Sequence, residues 1–195
     1  EYLLSNEGIR NVSFNKEKQL LGSLNEALSY NANAFMLYTG APQNTNRAKI
    51  DHTLTEEAIK LMKEKNIDIE NIIVHAPYII NLANGKNMEF NIRFLKEEIK
   101  RVDELGLSKI VIHPGSHVGL GEDVGIKNII EALNIILNED RKCVILLETM
   151  AGKGTECGSN IDEMEKLIHG VLNQDRIGVC LDTCHLNDSG INIKE

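Results

Sequence analysis

Short β-branched apolar runs alternate with longer amphipathic ones along most of this chain. The strand-like runs are Ala34 to Tyr38 (AFMLY), Asn71 to His75 (NIIVH), Lys109 to His113 (KIVIH), Cys143 to Glu148 (CVILLE) and Ile177 to Asp182 (IGVCLD). They are nearly continuous in apolar character, the pattern of parallel strands covered on both faces. Between them lie helical patterns at Lys16 to Tyr30, Thr55 to Lys65, Met88 to Leu105, Glu122 to Leu137 and Ile161 to Val171. A weaker strand is expected ahead of the first helix, within Tyr2 to Phe14. Strand–helix alternation of this kind predicts an α/β fold with a parallel sheet or barrel. No linker or low-complexity stretch divides residues 1–195, so the expectation is one domain of about six β/α units. A closed (β/α)8 barrel takes eight units in roughly 250 residues, and the sequence stops at Ile193-Lys194-Glu195 without a closing helix, so an incomplete barrel is expected.

Polar chemistry collects at the C-terminal ends of these runs. The third strand ends in His75-Ala76-Pro77-Tyr78, the fourth in His113-Pro114-Gly115, the fifth in Glu148-Thr149-Met150 and the sixth in Asp182-Thr183-Cys184-His185. His75, His113, Glu148 and Asp182 follow one another at 38, 35 and 34 residues, each about one β/α unit. The spacing predicts that they share one rung and converge on the rim where such barrels keep their active sites. Two imidazoles and two carboxylates converging form a divalent-metal ligand set, and this nitrogen–oxygen mix suits zinc, with manganese or iron as alternatives. His185 adds a nitrogen three residues beyond Asp182, where a loop is expected. A lone His or Glu at a strand end usually caps or hydrogen-bonds; four in phase, buried together without a cation, would leave carboxylates unpaired at high cost.

Other motifs point to less. Gly119-Leu120-Gly121 with Gly125 lies too far past its strand for a dinucleotide turn and reads as a loop. Cys180 and Cys184 have C-x3-C spacing, so Cys180 reads as a strand residue and Cys184 as a neighbour of the site. His52 and His169 fall in polar helical context, while His117 lies in the rim loop within reach of a substrate. The loop from Tyr38 to Arg47 (YTGAPQNTNR), with Gln43 and Asn44, is rich in amides and suits reaching across a nucleic-acid groove as well as an ordinary polar connection.

The net charge of −8 argues against a simple basic nucleic-acid surface, unless bound cations supply positive charge locally. No apolar run approaches the ~18 residues of a membrane-spanning helix, and Glu1 to Arg10 lack a basic start followed by an apolar stretch. Four cysteines, two of them inside strand-like runs, suggest reduced thiols and a cytoplasmic protein.

Several strings resemble the signatures of the endonuclease IV family, the zinc-dependent apurinic/apyrimidinic endonucleases. They are His75-Ala76-Pro77-Tyr78-Ile79-Ile80-Asn81, His113-Pro114-Gly115-Ser116-His117, Glu148-Thr149-Met150-Ala151-Gly152-Lys153-Gly154, Cys180-Leu181-Asp182-Thr183-Cys184-His185 and the loop from Tyr38 to Thr45. The resemblance implies a TIM barrel that binds three zinc ions when intact and cuts double-stranded DNA 5′ to abasic sites in base excision repair. It implies His75, His113 and Glu148 as ligands of a first zinc, Glu148 as the catalytic bridge to a second bound by Asp182, and His185 as a ligand of a third. Tyr78 and Ile79 match positions that press into the DNA around the lesion, with Gln43 and Asn44 in the neighbouring loop. It further implies a monomer acting on the nucleoid, of which residues 1–195 are the N-terminal two-thirds, the remaining ligands lying on strands past Glu195. Asn11 stands in Arg10-Asn11-Val12-Ser13 where the family usually has histidine, and Glu1 to Gly8 match poorly. The rival readings are a metal-dependent sugar isomerase or epimerase on a similar barrel, and a non-catalytic remnant.

Overall fold

The computed structural model describes residues 10–192. Six strands, β1 (Arg10–Asn11), β2 (Phe35–Leu37), β3 (Ile72–His75), β4 (Lys109–Ile112), β5 (Val144–Glu148) and β6 (Ile177–Cys180), lie side by side in chain order. All five pairings are parallel. An order without reversal is a singly wound arc of a (β/α)8 barrel; a doubly wound sheet would switch direction at its middle. The connecting helices are α1 (Gln19–Ser29), α2 (His52–Glu64), α3 (Met88–Glu104), α4 (Glu122–Leu137) and α5 (Ile161–Gly170), followed by a short α6 (Thr183–Asp188). None is long and apolar enough to cross a membrane. The Tyr2–Phe14 strand is realised as the two residues of β1; the part of that expectation before Arg10, and the chain end at residues 193–195, lie outside the described residues.

The near-continuous apolar runs resolve into two faces. Phe35, Leu37, Ile72, Val74, Ile110, Ile112, Ile145 and Leu147 are at most 1% exposed and pack against the helices. Met36, Ile73 and Leu146 alternate with them on the other face and are half-buried. Helix starts follow local capping chemistry. Asp51 accepts from the N–H groups of Thr53 and Leu54, so α2 begins at His52, three residues before the Thr55 expected from the apolar pattern. Asn160 accepts from Glu163 N at 2.9 Å, while Glu163 reaches back to Gly158 N at 2.6 Å and Ser159 N at 3.3 Å, a reciprocal cap on α5.

Two expectations about the strand ends need correction. Asp182 is followed by a helix, with Asp182 its N-cap accepting from His185 N at 2.8 Å, because the carboxylate closes the first turn that a bare loop would leave open. Nor do the four rim residues share a rung. His75 lies opposite Val111, two residues short of His113, and Glu148 opposite Cys180, two short of Asp182. Barrel strands are tilted and their register is sheared, so equivalent positions climb as the sheet turns. The offsets are even, which keeps all four on one face.

Candidate metal centre

Glu148, the last residue of β5, is 6% exposed and is the hub of the rim. Its Oε2 lies 2.8 Å from His75 Nε2 and 3.3 Å from His113 Nε2, and its Oε1 lies 3.2 Å from His185 Nδ1. Burial alone would push this carboxyl up, yet the His113 and His75 hydrogen bonds and their charge override it and hold Glu148 well below the usual carboxylate range. Glu148 is therefore an anion at any neutral pH.

Two of the histidines, His75 and His185, are oriented by the main chain. His75 Nδ1 lies 2.7 Å from Ala76 O. A carbonyl only accepts, so Nδ1 carries a proton; Nε2 carries one as well when it donates to Glu148, and that second proton is the one a bound metal would replace. His185 Nδ1 lies 2.9 Å from Thr149 O, so Nδ1 donates there and in the neutral ring Nε2 keeps its lone pair. The His75 and His113 rings meet edge-on at 5.1 Å, and His113 and His185 at 6.2 Å. Donor atoms of His75, His113 and Glu148 all lie within 4.8 Å of one another, and so do those of Glu148, Asp182 and His185. The five residues singled out from the sequence are thus brought together as two overlapping groups that share Glu148. Each oxygen of that carboxylate faces a different group, the arrangement a bridging ligand needs. Imidazole and carboxylate donors in this mix fit zinc.

Residues around the centre carry no metal-like signal in the sequence. Tyr38 packs its ring 5.0 Å from that of His75, and burial, then Glu148 and Tyr78, push its hydroxyl up. Asn81 ties the loop after β3 to the loop after β4: its Oδ1 accepts from Ala83 N, Asn84 N and Ser116 N, and its Nδ2 donates to Ser116 O at 3.0 Å. Gly115 sits against it at φ 123°, where a Cβ would run into Asn81 Oδ1. Thr149 Oγ1 accepts from Asp182 N at 3.0 Å and so fixes where that carboxylate emerges.

Among the expected substrate-facing residues, Tyr78 is 49% exposed, Gln43 and Asn44 are exposed, and Ile79 is half-buried against the core. His117 accepts from Gly121 N at 3.1 Å and shapes the loop leading to α4. His52 and His169 are exposed. The four cysteines are free, with Cys180 closing β6 and Cys184 exposed beside the site.

A family model described as the xylose isomerase-like TIM barrel matches residues 24–194. A relative named probable endonuclease 4 in Geobacillus sp. is 49% identical over 185 residues, covering 93% of this chain and 61% of its own length. The protein of the same name in Bacillus subtilis is 49% identical over 187 residues, covering 94% and 62%. This chain therefore spans about three-fifths of the curated relatives it matches. Among solved structures, endonuclease IV from Thermus thermophilus superposes with a TM-score of 0.72 at 25% identity, over 92% of this chain and 63% of that one. A D-tagatose 3-epimerase-like protein gives 0.69 at 19% identity over 92% and 66%, a likeness of fold.

Proposed function

The chain belongs to the xylose isomerase-like TIM barrel family, and within it we propose a zinc-dependent DNA repair nuclease of the endonuclease IV kind, which hydrolyses the phosphodiester 5′ to abasic sites in double-stranded DNA. The observation that carries this reading is Glu148, a buried anion whose two oxygens face two separate donor groups. Near-50% identity to relatives named probable endonuclease 4 supports the choice of substrate.

In this reading His75, His113 and Glu148 would hold a first zinc, Glu148 and Asp182 a second, and His185 would contribute to a third. Zinc held there supplies Lewis acidity toward a phosphodiester at neutral pH. The chain's own residues do the rest. Ala76 and Thr149 carbonyls lock the His75 and His185 tautomers. Asn81 keeps the His75 and His113 loops in one relative position. Local cations also answer the objection raised by the −8 net charge, because they supply at the rim what the surface as a whole lacks. Tyr78, Ile79, Gln43 and Asn44 meet the duplex, and turning out a sugar that carries no base costs little unpairing. The same reading makes the protein a cytoplasmic monomer acting on the nucleoid.

The rival sugar isomerase or epimerase shares the fold, and the second donor group with His185 speaks for the nuclease. Incision of an abasic duplex by the full-length protein tests the assignment. Cutting 5′ to the lesion, about three zincs per chain, and loss of roughly 10³-fold in rate for Glu148→Gln are expected. Cutting that survives both a chelator and Glu148→Gln would overturn it.

A further inference from the structure

A charged knot lies under the loop that leaves β2. Glu98, on α3, is fully buried; Thr39 Oγ1 donates to its Oε2 at 2.7 Å and Arg47 Nε to its Oε1 at 2.5 Å. Arg101, one helical turn on, donates from Nε to Thr39 Oγ1 at 3.1 Å, from Nη2 to Thr39 O at 3.0 Å and from Nη1 to Ala48 O at 2.7 Å. Arg47 Nη1 reaches three carbonyls of the loop, those of Ala41 at 3.3 Å, Asn44 at 3.1 Å and Asn46 at 2.8 Å. Its guanidinium also sits 5.1 Å from the Phe94 ring centroid. A Cβ on Gly40 would come within 2.7 Å of Arg47 Nη1, so the loop backbone lies directly on the guanidinium.

Buried charges of this kind add little net stability, since desolvation offsets most of the Coulombic gain; here the pairing favours one loop arrangement, because separating Arg47 from Glu98 leaves a buried carboxylate without its cation, even though Arg47 Nη2 itself is buried without a hydrogen-bond partner. Here the arrangement turns three loop carbonyls inward. Gln43 and Asn44 are left exposed at the tip, with Asn44 Oδ1 accepting from Asn46 N. The other end of the same loop starts at Tyr38, against His75.

We propose that Arg47, held by Glu98, is a positioning residue that presets the 39–47 loop, so that Gln43 and Asn44 meet duplex DNA without first being ordered. This rests on the nuclease reading above. Ordering a loop on binding costs affinity, and a preset loop avoids that cost.

The test uses the full-length protein carrying Arg47→Lys, which keeps a charge facing Glu98 but replaces the planar fork by a single ammonium. Amide hydrogen exchange reads the clamp directly. Asn44 N–H donates to Ala41 O and Asn46 N–H to Asn44 Oδ1 inside the loop, and both should exchange about tenfold faster while the β-strands do not change. Incision kinetics read the consequence: KM for an abasic duplex should rise about tenfold, kcat should change much less, and zinc content should stay the same. The double change Gln43→Ala with Asn44→Ala should raise KM without loosening the loop's start at Thr39. Should Arg47→Lys fail to fold, Gly40→Ala, which presses a methyl on the same guanidinium, gives the same two readouts. Unchanged exchange refutes the clamp. Faster exchange with an unchanged KM, or with kcat falling at constant KM, refutes its link to DNA. A wild-type protein that leaves abasic duplexes uncut removes the nuclease reading and the DNA role together, while exchange still judges the clamp.

Discussion

Removing the Asn81 side chain should loosen the metal centre from a distance. Asn81 touches neither Glu148 nor an imidazole in its hydrogen bonding; it holds the His75 loop to the His113 loop through four bonds, two local to Ala83 and Asn84 and two across to the N–H and C=O of Ser116. At about 1 kcal/mol for each bond the ceiling is about 4 kcal/mol, and because the residue is only half-buried, water recovers part of it, leaving an expected cost of about 2–3 kcal/mol for Asn81→Ala. The two cross-loop bonds are the ones that matter for function, since without them the Ser116 segment keeps its bonds to the 155–157 segment but loses its tie to the His75 loop. Because Asn81 acts on the ligands only through the loops, the effect on zinc is smaller than for a direct partner of a ligand, and a fall in affinity of about tenfold or less is expected. Asn81→Asp keeps the three accepted bonds but sets an oxygen against Ser116 O, and should cost less stability than the alanine. The assay is urea unfolding of the full-length protein alongside zinc competition with a chromogenic chelator. Asn84→Ala, which gives up only a bond from Lys86 N, serves as control and should stay within about 0.5 kcal/mol of wild type. An Asn81→Ala protein matching that control in both stability and zinc affinity would refute the reasoning.

Three further outcomes follow from the same structure. Under native conditions at pH 8 a thiol reagent should label the exposed Cys184 quickly and leave Cys143 untouched: burial pushes the Cys143 thiol up to about 12, so only about one part in ten thousand is thiolate; labelling of Cys143 before unfolding, followed by mass spectrometry, would contradict this. Asn160→Ala removes one half of the reciprocal cap on α5 and should cost about 1–2 kcal/mol in urea unfolding. Glu70 is held below its ordinary pKa by hydrogen bonds from the buried Lys109 and from Ser108, and a lowered carboxylate contributes stability above its unfolded pKa that is lost as pH falls through the folded one; Glu70→Gln should therefore be less stable than wild type at pH 7, with the difference shrinking in acid, and a gap that widens below pH 4 would reverse the sign.

The sequence alone determined the alternation of elements and the chemistry of the rim. Five strands and five helices lie where the apolar periods put them, because period 2 and period 3.6 are properties of the local chain. His75, His113, Glu148, Asp182 and His185 were legible because each terminates an apolar run or closely follows one. Tertiary structure decided what local period does not encode. The two-residue stagger between His75 and His113, and between Glu148 and Asp182, comes from strand tilt in a curved sheet. α6 exists because Asp182 caps it while Thr149, 33 positions earlier, holds the Asp182 backbone. Nothing in the local sequence marks Asn81 before Ser116 is brought beside it, or Glu98 before Thr39 and Arg47 close over it. The physical reason is common to all of these: a hydrogen bond between residues dozens of positions apart leaves no period in the chain, and only the packed sheet brings its partners within about 3 Å.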